Sequence, residues 1–303
     1  MFFQSLANVI DDLAYQQSIS RRLFLVQMLL LTACGAKTTQ TQIEELVIGV
    51  ISYEQGKQIL NRFDRFNRYL GEKMRARIEI EPAFNETLAL DRIEARDWSL
   101  VFAPPGVAAS AIAYHQYTPL FPLQDDRNLR SIFVVRQDNP VRDLKALNGQ
   151  TIVLGKQGSA TGYYFPLYNL YGLTLAEIMF APTPKTVLEW VAQGKATAGA
   201  ISEQEFNLYS SQLDSVQLRV LFTDPRNVPS GSVLIAPTIE RNREGYIRQV
   251  MSDAPTALAQ EVGYLADRSL PDYQYMISVV KRVRAIATHV REKPARLIAS
   301  EPS

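Results

Sequence analysis

The sequence predicts an α/β fold of two lobes with a cleft between them. Three observations lead there. Short apolar runs alternate with helical periodicities along most of the chain, as strands and helices in parallel-type sheets do. A second series of the same kind begins near Ser131. Polar stretches at Gln124–Arg130 and Asp224–Gly231, the latter with Pro225, Pro229 and Gly231, suit hinges that cross between lobes twice before a mainly helical return. Two independent domains on a single linker are the competing arrangement; the lack of one clear break in composition speaks against it.

The first series opens with LVIGVIS (Leu46 to Ser52), a continuously apolar run suited to a strand buried on both faces. KQILNRFDRFNRYLGEKM follows, with Ile59, Leu60, Phe63, Phe66 and Leu70 at helical spacing. RIEIE (Arg77 to Glu81) alternates like a strand, TLALDRIEARD reads as a helix, and SLVFA (Ser99 to Ala103) as a second buried strand. PPGVAASAIAYH opens with prolines suited to a helix start. The second series holds SIFVVR (Ser131 to Arg136), a short helix VRDLKAL, the strand TIVL (Thr151 to Leu154), a helix carrying FPLYNL and another in TPKTVLEWVAQGK. TAGAI (Thr197 to Ile201), helix EQEFNLYSSQ and strand VQLRVLF (Val216 to Phe222) complete it. SVLIAP (Ser232 to Pro237) leads into helical segments IRQVMSDA, PTALAQEV and YQYMISVVKRV. The expected lobes are residues 45–127 with 232–303, and residues 128–231.

The N-terminal part reads as an export leader. Arg21 and Arg22 precede an apolar run of nine residues, Leu23 to Leu31. That is far short of the ~20 residues that span a bilayer, and suits the core of a secretory leader. The run ends in Leu31-Thr32-Ala33-Cys34 and a polar stretch, which is similar to a bacterial lipobox; SRRLFL (Ser20 to Leu25) also resembles a twin-arginine signal. Residues 1–33 are then leader, Cys34 the lipidated residue and membrane anchor, and residues 34–44 a tether; a buried helix with an incidental cysteine is the alternative.

Several function classes are disfavoured by composition. The 303 residues carry a net charge of +1, which argues for neither nucleic acid nor an anionic membrane surface as a partner. One cysteine cannot form an internal disulfide, and two histidines far apart, His115 and His289, do not suggest a metal site. No nucleophile–base pair, paired carboxylate or cofactor motif stands out, so the expectation is a monomeric binding protein without cofactor rather than an enzyme.

The stretch GKQGSATGYYFPLYNL, beginning at Gly155, is the most informative. Pro166 lacks an N–H and is tolerated only in a helix's first turn, so the helix should begin near Thr161 or Gly162, with Thr161 a natural N-cap. Ser159, Ala160, Thr161 and Gly162 would then present outward N–H groups, two hydroxyls and the positive end of the helix dipole to an anion. Four such bonds sum to a gross ~6–12 kcal/mol, enough to hold an anion modestly before ordering costs. A plain βα turn whose serine and threonine only cap the helix remains the other reading. No nucleotide P-loop and no nucleophile elbow occurs here.

LNGQTIVLGKQGSATGYYFP, after SIFVVR and a DNPVRDL segment, resembles the phosphonate/phosphite/phosphate-type solute-binding proteins of ABC importers. The likeness runs from LVIGVIS through WVAQGKATAGAI to VPSGSVLIAP. It implies a type II periplasmic-binding-protein-like fold, each lobe a mixed, mainly parallel sheet flanked by helices. It further implies a small anionic solute held between the lobes at Ser159, Ala160, Thr161 and Gly162, and an importer permease as partner. Phe84 and Ala103 stand where the family's ligand-reading tyrosines are expected, Pro184 near its histidine and Gly231 near an acidic position. A small oxyanion is thus a safer expectation than an aminoalkylphosphonate. A ligand-sensing partner of a membrane receptor is the alternative function.

Secondary candidates lie at other strand ends. Tyr53 ends the first strand, where ligands of open α/β sheets are met, or it packs on the sheet. FAPPG (Phe102 to Gly106), with Ala103, could offer backbone N–H groups. Glu203 either reads a cationic part of the solute or, the favoured reading, caps EQEF. Tyr163 belongs to an aromatic helix face and is a candidate for lining the cleft.

Overall fold

The structure, a computed structural model, describes residues 45–52, 56–124, 129–213 and 217–298. Cys34 and Tyr53, the leader and the tether fall outside these residues.

The first sheet has the order β2-β1-β3-β11-β4, built from β1 (Glu45–Ile51), β2 (Arg77–Ala83), β3 (Leu100–Ala103), β4 (Thr118–Pro122) and β11 (Ser232–Ile235). β1 lies parallel to β2 and β3, whereas β11 runs antiparallel to β3 and β4. A glycine is required at position 49, because any Cβ there would stand 2.1 Å from the buried ring of Trp98. Helix α1 (Gly56–Met74) buries Ile59, Phe63, Phe66 and Leu70 at the predicted spacing, while Leu60, expected with them, is 47% exposed. Phe63, Phe66, Phe102 and Tyr264 meet edge to face, the favoured geometry for aromatic quadrupoles. Helices α2 (Glu86–Ala95) and α3 (Pro105–His115) follow β2 and β3, while α7 (Arg241–Ser252) and α8 (Thr256–Val262) pack on α1.

The second sheet has the order β10-β5-β9-β6-β8, from β5 (Ser131–Arg136), β6 (Thr151–Leu154), β8 (Glu177–Phe180), β9 (Ala198–Ser202) and β10 (Leu218–Thr223). Here too two pairings are parallel and two antiparallel, so each lobe holds a mixed sheet. A chain that leaves one sheet and returns to it after building the other need not keep one strand direction. After β6 come a π-helical turn at Ala160–Tyr164 and α4 (Phe165–Asn169), then the short β7 (Thr174–Leu175). Helices α5 (Pro184–Ala192) and α6 (Glu203–Tyr209) flank the sheet.

Two expectations are corrected. VRDLKAL forms only a 3-10 turn, Lys145–Leu147: the Asp143 carboxylate accepts the Ala146 N–H at 2.9 Å and holds the backbone in a local turn instead of a helix. The end of the 232–303 segment leaves the lobe expected for it, because β12 (Ala295–Arg296) pairs antiparallel with β7 of the second lobe.

The lobes are not insulated from each other. One apolar cluster takes in Val101, Ala103 and Val107 of the first, Phe133, Val135 and Ile152 of the second, and Met276, Val279, Val280 and Val283 of α9 (Gln274–Arg284). Helix α9 touches both α3 and α4, so it spans the junction.

Candidate functional site

The turn after β6 lies where the lobes meet. Ser159, not Thr161, is the N-cap: its hydroxyl accepts the Gly162 N–H at 3.0 Å. The helix starts two residues earlier than Pro166 alone suggests because a wide π turn precedes it. Tyr163 and Tyr164 both donate their N–H groups to the Ser159 carbonyl, at 3.2 and 3.0 Å.

The outward donors are therefore fewer than four. The Ser159 N–H goes to the Lys156 carbonyl and the Gly162 N–H to the Ser159 hydroxyl. No acceptor among the described residues takes the N–H of Ala160 or Thr161. The Thr161 carbonyl is tied down by the buried Ser131 hydroxyl at 2.7 Å, and the Gly162 carbonyl by the Gly155 N–H at 2.9 Å. Those bonds fix the turn on the sheet and leave the buried Ala160 and Thr161 amides without an acceptor among the described residues.

The first lobe presses directly on this turn. A Cβ added to Gly106, at the start of α3, would stand 2.0 Å from the Gly158 carbonyl oxygen and 2.8 Å from the Ala160 nitrogen. A Cβ on Gly158, whose φ is +107°, would stand 2.3 Å from Cβ of Glu86. Backbone meets backbone here because both positions lack side chains. Helix α3 begins with Pro104 as cap and no side-chain cap bond, so two helix N-termini approach each other across the junction. Ala160, Thr161 and Gly162 are buried, and the cavity touching Ser159 and Gly162 holds only about 20 Å³, the room of a single water.

Glu86 is the site residue that the sequence reading missed. It is the first residue of α2, capped by Asn85 through the Leu88 N–H, and is only 5% exposed. A glutamate in a helix's first turn is ordinary in sequence; only the second lobe's approach buries it.

The remaining candidates scatter. Ala103 is fully buried and paired with Ser232 in the sheet. Glu203 is exposed and does not cap α6; Ser202 does, in a reciprocal box with Glu205, because the cap position falls one residue earlier. Phe84 is 51% exposed at the end of β2. Tyr163 is buried between Tyr164 and Phe180, its ring 5.2 Å from the first and 6.1 Å from the second. Burial pushes the phenols of Tyr163 and Tyr164 up to about 12, so both stay protonated. Among the described residues no group of three histidine, cysteine or acidic side chains is placed to hold a metal ion.

Residues 48–267 match the family model described as ABC transporter, phosphonate, periplasmic substrate-binding protein. The chain belongs to this family. No curated protein matches it. Among solved structures, this family member is similar to XAC2383 from Xanthomonas citri, described with bound chloride and with bound ATP. The TM-score is 0.64 at 20% identity, and the chloride-bound match covers 79% of this chain and 98% of that one. It is also similar to PhnD1 from Prochlorococcus marinus in complex with methylphosphonate, with TM-score 0.59, 19% identity and coverage of 80% and 99%. The phosphonate-transporter binding protein from Pseudomonas aeruginosa aligns with TM-score 0.58 at 12% identity, over 82% of this chain and 88% of that one. These likenesses establish the fold as that of two-lobed type II periplasmic binding proteins. The family role is that of a transporter's solute-binding component.

Proposed function

We propose that this protein is the lipid-anchored, extracytoplasmic binding subunit of an ABC importer for a small oxyanion, held at Ser159–Gly162 between the lobes. One observation carries the reading. Two amides, of Ala160 and Thr161, have no acceptor among the described residues where two helix N-termini converge. An oxyanion would satisfy both donors and both helix dipoles at once. The ligands named for the Prochlorococcus and Xanthomonas proteins include phosphorus oxyanions, which supports the same class here.

The enclosed geometry adds a condition. Because the Gly106 backbone lies against the Gly158 carbonyl and the Ala160 nitrogen, a solute reaches these amides only when that contact opens, and the lobes then close over it.

A thermal-shift screen of the mature chain against phosphate, phosphite, methylphosphonate, sulfate and small carboxylates tests the reading. A ligand at a hundred times its Kd stabilises by about 2.7 kcal/mol. The expected result is a shift with a phosphorus oxyanion that disappears in Ser159→Ala combined with Thr161→Ala. A shift with neutral sugars alone would sink it. The anchor is tested separately: radiolabelled palmitate should enter the parent protein in cells and not Cys34→Ala.

A further inference from the structure

A cavity between the lobes, of about 760 Å³, is far roomier than the space within the second lobe at Ser159 and Gly162, and none of Ser159–Gly162 lines it. Three parts of the chain build it. Asn85 and Thr87 come from the start of α2, Lys156 with Tyr163 and Phe180 from the second lobe, and Arg291 from the segment after α9. Two of its lining residues meet across the lobes, the exposed Thr87 hydroxyl donating to the Gln157 carbonyl at 3.3 Å.

The charge on its walls is uncompensated. Among the described residues neither Lys156 nor Arg291 has a carboxylate within ion-pairing distance. The carboxylates nearest in sequence or register are engaged elsewhere: Glu292 with His289 at 3.1 Å, and Glu177 with Lys293 at 2.6 Å. One wall is apolar, formed by Phe180 tilted at 40° to the ring of Tyr163. The Tyr163 phenol, protonated throughout the physiological range, adds a donor and no charge. A cavity of this size matches sites for ring-bearing molecules and exceeds what an inorganic oxyanion needs.

We infer that this groove is a second ligand site, for an organic anion that carries a phosphate or carboxylate on a ring-sized apolar body. The anionic end pairs with Lys156 and Arg291, and the ring lies against Phe180 and Tyr163. Because the walls come from both lobes and from the chain's C-terminal segment, a ligand here ties all three together and favours the closed arrangement. The groove borders the oxyanion turn through Lys156 and Tyr163, but its ligand does not use the turn's amides, so it would stand if that reading failed.

Calorimetric titration of the mature chain with phenyl phosphate, inorganic phosphate and benzyl alcohol tests it. In the Ser159→Ala, Thr161→Ala background, where the turn is disabled, phenyl phosphate is expected to bind more tightly than either of the others. Lys156→Ala and Arg291→Ala should each weaken it about ten-fold, as loss of one charge-assisted bond does. Phe180→Ala should weaken phenyl phosphate and leave inorganic phosphate unchanged. The pair Ser159→Ala and Thr161→Ala should leave phenyl phosphate binding as in the parent. No measurable binding of phenyl phosphate overturns the inference. So does an affinity indifferent to Lys156 and Arg291, or one abolished by the Ser159 and Thr161 variants.

Discussion

Gly158 shows how a missing side chain can hold two lobes together. Its φ of +107° lies in the region that only glycine adopts freely, and its α-carbon rests against the Glu86 side chain. Gly158→Ala adds both backbone strain and a clash, so it should prop the lobes apart. The expected outcome is a larger radius of gyration in small-angle scattering and weaker binding of any solute held by closure; an unchanged radius would refute the contact's role. Gly245 makes the opposite case. It sits inside α7 with nothing within 4 Å of a would-be Cβ, and its φ is unremarkable for a helix. Gly245→Ala should stabilise the protein by about 0.5–1 kcal/mol in denaturant melts, through helix propensity alone.

At the scale of elements, two short segments depend on polar side chains rather than on length. Helix α6 has seven residues and none of them is fully buried, so its capping box matters. The Ser202 N–H and hydroxyl both donate to the Glu205 carboxylate, at 2.8 and 2.7 Å. Burial nonetheless outweighs those bonds and pushes the Glu205 carboxyl above the usual carboxylate range. The folded protein then holds this proton more tightly than the unfolded chain does. The group's stabilising contribution is full below its unfolded value near ~4.3 and is lost as pH rises through the raised folded one. Glu205→Gln cannot ionise, so its Tm should gain on the parent's over an interval that opens at about pH 4 and runs up through the raised folded pKa. A gap that narrows over that interval would contradict the assignment.

The second crossover is fixed in a similar way. Asp224 is fully buried and accepts from Asn169 at 2.7 Å and from the Arg226 backbone N–H and Nε at 3.0 Å each. The Arg226 guanidinium lies 5.3 Å from the Tyr168 ring centre and 4.8 Å from that of Tyr275, which links crossover, α4 and α9. Asp224→Ala leaves Arg226 and Asn169 without their acceptor. The expected loss is about 3 kcal/mol in equilibrium unfolding.

For the whole molecule, the question is whether two lobes are two folding units. A single apolar cluster passes through both, and α9 braces α3 on one side and α4 on the other. Neither lobe can expose its share of that cluster without stripping the other. Calorimetric unfolding should therefore show one transition whose calorimetric and van't Hoff enthalpies agree. Two resolved peaks would show the lobes to be independent. If solute is held at Ser159–Gly162 as proposed, its release parts the lobes at the Gly106–Gly158 contact, against the part of the cluster that joins Val107 to Ala160.

Local periodicity carried much of the fold. LVIGVIS, SLVFA, TIVL and SIFVVR are apolar enough to be strands wherever they pack, and Ile59 to Leu70 mark one helix face without help from any partner. The polar turn with Pro166 two residues behind two tyrosines announced a special helix start on local grounds. Other elements depend on distant partners. Glu177–Phe180 is a strand because it pairs with β6, and Thr118–Pro122 because β11 returns beside it; neither alternates clearly enough to declare itself. The π turn that moves the cap to Ser159, the burial of Glu86, and the meeting of Lys156 with Arg291 across 135 residues (291 − 156) in one groove are tertiary outcomes. Sequence by itself determined most of the strands and helices and singled out Ser159–Gly162 as the candidate anion turn, since hydrophobic period and proline geometry act over a few residues. Only the tertiary structure decided which amides stay open and which charges face a cavity, because burial and charge compensation are properties of neighbours that the chain brings together only on folding.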